Sequence, residues 1–173
     1  MVVSTYMSSI DSTIINDAIA YAEELFRTNA GGHDAEHTMR VYRNTFRIAA
    51  SDPENVELLD VTKAGPRDLS GYDRIGVASG IYAGSFGKPL LNYMSDNLPA
   101  GKNVFIIFTS AMNRDSLSSS ARKVIEEKKC HVMGQYSCPG YNTFGPFKLV
   151  GGTAKGHPTK EEIEGAVKFY KGL

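Results

Sequence analysis

The sequence predicts an α/β fold, a doubly wound parallel sheet preceded by an N-terminal helical hairpin. Three observations carry this. From about residue 56 onward, short apolar runs alternate with amphipathic stretches, separated by glycine turns. One run, VFIIF at 104–108, is too apolar for an exposed strand and suits the middle of a parallel sheet. Before residue 53 the pattern changes to two helical stripes divided by Gly31-Gly32.

Taken in order, Val2–Tyr6 is a short strand candidate. From Ile14, apolar residues recur at Ile15, Ala18, Ile19, Ala22, Leu25 and Phe26, the spacing of one helix face. Asp11 or Ser12 can cap that helix, and Gly31-Gly32 stops it. Val41, Tyr42, Thr45, Phe46, Ile48 and Ala49 form the second stripe, which ends before Asp52-Pro53. Strands follow at Val56–Val61 and Ile75–Ser79. Pro89 opens a helix that buries Leu90, Leu91, Met94 and Leu98. Asn103–Thr109 is the central strand, Ser116–Lys129 a helix and His131–Tyr136 the next strand. Thr159 and Glu162 make a capping box for a last helix on Ile163, Ala166, Val167 and Tyr170. In such sheets ligands bind beyond the carboxyl ends of the strands, which singles out loops 79–86, 109–115 and 136–147.

Composition narrows the function classes. The 173 residues are 42% hydrophobic and 22% charged, an ordinary globular balance that can supply a core. Nineteen bases match nineteen acids, which removes the electrostatic case for nucleic acid or a membrane surface as partner. No apolar run approaches the roughly 20 residues of a membrane span. The first ten residues lack a basic region, so a signal peptide is not expected, and two cysteines fit a reducing cytoplasm. The neutral average hides a seam. Residues 1–52 hold seven acids against four arginines and no lysine; residues 53–173 hold fifteen bases against twelve acids. Two segments are therefore expected, a helical hairpin at 1–53 and a body at 54–173.

The body carries VELLDVTKAGPRDLSGYDRIGVASGIYAGSFGKPLL, KNVFIIFTSAM and GQYSCPGYNTFGPFKLVGGTAKGHP in that order. It resembles the flavodoxin family in its short single-domain form, over about Val56–Leu173. The resemblance implies a flavodoxin-like sheet with FMN across the strand ends, and electron transfer to an unidentified redox partner. Ser79, Gly80, Ile81, Tyr82 and Ala83 resemble the first loop flanking the flavin. Thr109, Ser110, Ala111 and Met112 resemble the second, and Tyr136–Gly140, with Cys138, lies where a third loop would close over the ring.

Elementary chemistry suits these residue types. An isoalloxazine needs a face to stack on, and Tyr82 at a strand end can supply one. Backbone N–H groups in small-residue turns can hold the polar edge of the ring and tune its potential. The family's Ser/Thr-rich phosphate loop, which follows its first strand, corresponds here to MVVSTYMSSIDST. Ser8, Ser9, Ser12 and Thr13 could cradle the phosphate, but no glycine lets the backbone approach and Asp11 opposes the charge. The alternative is that Asp11 or Ser12 only caps the helix. Weakened FMN binding is the expectation, because each lost charge-assisted hydrogen bond costs about 1.5–3 kcal/mol.

The segment Ser12–Pro53, with GGHDAEHTMRVY, resembles the opening helices of HD-superfamily metal-dependent phosphohydrolases. That family's first metal ligand falls on His37, but the later His-Asp pair has no counterpart, so no catalytic metal is implied. His33 and His37 also mimic a zinc pair one helical turn apart, with no third ligand. Cys130 and Cys138 read as one buried and one loop thiol, and the charges of 123–129 as a solvated helix face. A cofactor-free binding or scaffold domain is the alternative to the flavoprotein, with a phosphohydrolase fragment below it. The slot of the missing first strand, between Val56–Val61 and Ile75–Ser79, is either filled by Met1–Tyr6, with Val2–Tyr6 as the strand expected there, or left empty or filled by another chain, the second case favouring a homodimer or aggregation.

Overall fold

The computed structural model describes residues 2–5, 44, 45, 47–49, 51, 52, 55–112, 114–140 and 152–173. The strands are β1 (Val2–Thr5), β2 (Val56–Leu59), β3 (Arg74–Tyr82), β4 (Ser85–Phe86), β5 (Asn103–Ser110) and β6 (His131–Pro139). The helices are α1 (Lys88–Asn97), α2 (Ser119–Glu127, entered through a 3-10 turn at Asp115–Ser118) and α3 (Lys160–Lys171). Residues 44, 45, 47–49 and 51 are also helical. The fold is α/β, with strand order β2-β1-β3-β5-β6 and β4 paired to β3.

The centre is the parallel trio β3-β5-β6, with VFIIF in its middle strand as its apolar run requires. Val2–Thr5 lies between β2 and β3, so those two strands are not adjacent. Its direction departs from an all-parallel sheet, because β1 is antiparallel to both neighbours. The register explains why this works. Thr5 faces Val56, so the chain leaves β1 and enters β2 at one rim, and an antiparallel pair can be joined that way without a crossover.

Side chains alternate between two cores. On the first face Ile75, Val77, Val104, Ile106 and Phe108 pack beneath α1 and α2, joined by Leu90, Met94, Ala121 and Ile125. On the second, Ala78, Phe105 and Ile107 pack beneath α3 and helical residues 48 and 49. Phe105 closes the second core, with ring centroids 6.4 Å from Phe169 and 5.9 Å from Tyr170. It also explains Gly76, where a Cβ would lie 2.3 Å from the Phe105 ring. Of the expected hairpin, residues 44, 45 and 47–49 of the second stripe are helical, and the first helix, Ile14–Phe26, with Gly31-Gly32 lies outside the described residues.

Three strand ends differ from the sequence expectation by two residues or more, and the helix expected at Ser116–Lys129 is shorter, Ser119–Glu127 behind its 3-10 turn. β2 stops at Leu59 because the Asp60 carboxylate accepts from the Thr62 amide at 3.0 Å and hydroxyl at 2.7 Å, turning the chain. β3 runs three residues past Ser79 because a two-residue turn at Ala83 (φ 50°) and Gly84 (φ 83°) folds β4 back onto it. Two positive φ angles match the twist of a tight hairpin. β6 runs to Pro139 because its pairing with β5 continues that far. The capping box of α3 forms as its sequence requires, Glu162 N–H donating to Thr159 and Thr159 N–H to the Glu162 carboxylate.

Candidate functional site

The parallel register brings three sequence-distant loops to one rim. Gly80 on β3 is opposite Thr109 on β5, and Thr109 is opposite Cys138 on β6. These positions sit at the carboxyl ends of adjacent parallel strands, where an α/β sheet offers its loops to a ligand. The strand directions alone therefore collect Ser79–Ala83, Thr109–Met112 and Cys138.

Each loop is held differently. Ser79, buried, accepts from the Gly87 N–H at 3.1 Å and donates to the Gly80 carbonyl at 2.7 Å. This ties the end of β3 to the start of α1. The half-buried Tyr82 ring lies over Gly87, where a Cβ would sit 3.5 Å from it. The Phe86 N–H reaches the Ser120 hydroxyl at 3.1 Å and anchors the hairpin to α2. In the second loop the Ser110 hydroxyl donates to the Met112 carbonyl, and the Arg114 N–H reaches the same carbonyl at 3.0 Å. Met112 is 55% exposed and Ala111 half-buried. The third loop is tied to the second by Gly140 N–H to Ser110 carbonyl at 2.9 Å.

The row itself faces inward. Thr109 is 0% exposed and Cys138 2%, and the Asn44 amide reaches Cys138 Sγ at 3.3 Å. Asn44 and Thr45 are themselves fully buried. Asn44 Oδ1 and Thr109 Oγ1 are buried without a hydrogen-bond partner. Burial pushes the Cys138 thiol up to about 11, against a smaller lowering from the Asn44 amide, so it is a thiol and not a thiolate at neutral pH. Cys130 precedes the opposite end of β6, its Sγ 3.2 Å from the Pro99 carbonyl. Eight residues of extended chain, roughly 26 Å, separate the two sulfurs and forbid a disulfide.

The rim residues fit a flavin ring in part. Tyr82, Ala111 and Met112 have exposed surface for a planar group, while the Thr109 and Cys138 side chains are enclosed. Ser8, Ser12 and Thr13 lie outside the described residues, as do His33 and His37. Among the described residues no cluster of His, Cys, Asp or Glu could hold a metal. No helix among them is long and apolar enough to cross a membrane.

Sequence reasoning missed two groups. Asn44 falls in a plain helical stripe, and nothing in its neighbours marks it as buried against Cys138. Gln135 occupies a strand position aligned with Ile106 yet binds Ser118, Arg122 and Asp115 through its amide. No signal marked Gln135, since β6 (HVMGQYSCP) mixes polar and apolar residues along its length.

No protein-family model matches the chain. It is similar to the uncharacterized protein MJ0298 of Methanocaldococcus jannaschii, with 31% identity over 136 residues, 76% of this chain and 91% of that protein. With that identity sustained over nearly the whole of the relative, the chain belongs to the family of MJ0298.

Proposed function

We propose that this is a flavodoxin-like FMN-binding protein of the electron-transfer class, with weaker FMN binding than a complete phosphate loop would give. One observation carries the reading: Gly80, Thr109 and Cys138, far apart in sequence, share one row at the carboxyl ends of three parallel strands. Ile81–Ala83, Ala111 and Met112 would hold the ring, with Tyr82 and Met112 offering faces and the backbone of the turns meeting its polar edge, while Ser79, Thr109 and Cys138 lie enclosed behind them. FMN, when bound, supplies one- and two-electron chemistry. The chain's own part is to orient the ring and limit its contact with water; no side-chain acid or base is required.

The phosphate anchor is the weak point of the reading. β1 ends at the rim of Val56, whereas the three loops lie at the opposite rim. A hydroxyl cradle directly after β1 would start from the wrong side of the sheet. This favours a cofactor-free binding domain as the second reading, in which the same rim meets a partner protein.

Titration of the purified full chain with FMN, followed by quenching of flavin fluorescence, separates the two. The flavin reading expects saturable quenching with riboflavin binding nearly as well, since the phosphate contributes little. Fluorescence unchanged at high protein concentration contradicts it.

A further inference from the structure

We propose that Gln135 is a positioning residue whose amide fixes the second rim loop. Its place in β6 is aligned with Ile106 of β5, which is itself aligned with Val77 of β3. Ile106 and Val77 are fully buried core residues, whereas Gln135, on the strand that ends the sheet order, is half-buried. Its amide is used at both ends. Its Oε1 accepts from the Ser118 hydroxyl at 2.7 Å and from Arg122 Nη2 at 2.7 Å. Its Nε2 donates to Asp115 Oδ1 at 2.8 Å. Arg122 Nε also donates to Ser118 Oγ at 3.1 Å, and the single Ser118 hydroxyl proton has the Asp115 carbonyl, at 2.9 Å, as its alternative acceptor. Four side chains from a turn, a helix and a strand thus close one network.

The network matters because of what it ends. Asp115 opens the 3-10 turn that follows the second loop, three residues after Met112. The near end of that loop is fixed by Ser110 on the Met112 carbonyl; the far end is fixed by Gln135 on Asp115. Held at both ends, Ala111 and Met112 are presented to the rim in one arrangement, so a ligand there does not have to order them. The Asp115 and Arg122 ends are charged, which strengthens each bond, and solvent at the surface weakens it.

The ligand half rests on the flavin reading; the loop half does not. Three chains are compared: wild type, Gln135→Leu, and the double variant Asp115→Asn/Gln135→Glu. The double variant reverses the Asp115 bond and keeps net charge, while Arg122 and Ser118 still have an acceptor. Trypsin cleavage after the exposed Arg114 in the folded protein reports the loop, and FMN titration reports the rim. Gln135→Leu is expected to speed cleavage about fivefold and weaken FMN about fivefold, the loss of roughly one net hydrogen bond, and the double variant to return both toward wild type. Unchanged cleavage in Gln135→Leu overturns the clamp. Faster cleavage with unchanged FMN affinity overturns the positioning role. Failure of wild type to bind FMN overturns the flavin reading and the ligand half with it, and the cleavage rates still decide the clamp. Should Gln135→Leu not fold, Asp115→Ala removes the same bond from its exposed end.

Discussion

The two faces of the sheet are built for different ends. The first is an apolar seal: Ile75, Val77, Val104, Ile106 and Phe108 meet α1 and α2, with Phe86 and Phe108 rings 5.8 Å apart. The second begins the same way around Phe105 but ends at the rim with Asn44, Thr45, Thr109 and Cys138, all buried and polar or weakly polar. A buried polar atom without a partner costs about 1–3 kcal/mol. Asn44 Oδ1 and Thr109 Oγ1 carry that cost on the second face, at the rim where the three loops converge, and Tyr93 Oη carries it on the first. Buried polar atoms left unpaired are found where function competes with stability.

The largest expected effect tests the seal. Phe108→Ala removes a fully buried ring and should lower unfolding free energy by about 4 kcal/mol in urea titration. A loss under about 1 kcal/mol would deny the first face its role. Next comes the second face near α3. The Tyr136 hydroxyl donates to the Glu162 carbonyl at 2.6 Å and would lie 2.6 Å from a Cβ at Gly165. Gly165→Val should cost about 2 kcal/mol by overpacking, read by the same titration.

The comparison is sharpest at Thr109. Replacing its unpaired hydroxyl by a methyl in Thr109→Val should raise unfolding free energy by about 1 kcal/mol, an unusual sign for a core substitution. A decrease in calorimetric midpoint would show the hydroxyl to be well satisfied.

The smallest effect is a pH slope. Burial raises the Cys138 thiol from its ordinary 9.0 to about 11. The folded state holds that proton more tightly than the unfolded state, so this contribution is intact below pH 9 and lost as pH rises toward 11. Urea midpoints at pH 8 and 10.5 should fall less in Cys138→Ala than in wild type. Equal slopes would place the alkaline loss elsewhere, for instance on Tyr136, which burial pushes up to about 12.

What could be read from the sequence follows how local each cause is. VFIIF as a central strand and the Thr159/Glu162 cap depend on neighbours a few residues away, and both are plain in the chain. The overrun of β3 was hidden because Ala83 carries a positive φ that alanine does not advertise. The direction of β1 was hidden too, since a four-residue strand reads the same either way and only its pairing with Val56 and Ile75 sets it. The rim loops were legible as segments. Their inward row, with Thr109 enclosed and Cys138 bonded to Asn44, depends on a contact across 94 residues that no local pattern encodes.

The central claim is that one rim of the parallel trio takes the ligand. Backbone amide shifts in a two-dimensional NMR spectrum, recorded as FMN is added to the full chain, test it most directly. The account predicts that Gly80, Ile81, Tyr82, Ala111, Met112 and Gly140 move together while His131, Cys130 and Val56 stay still. Movement confined to the opposite rim, or none at saturating FMN, would contradict it.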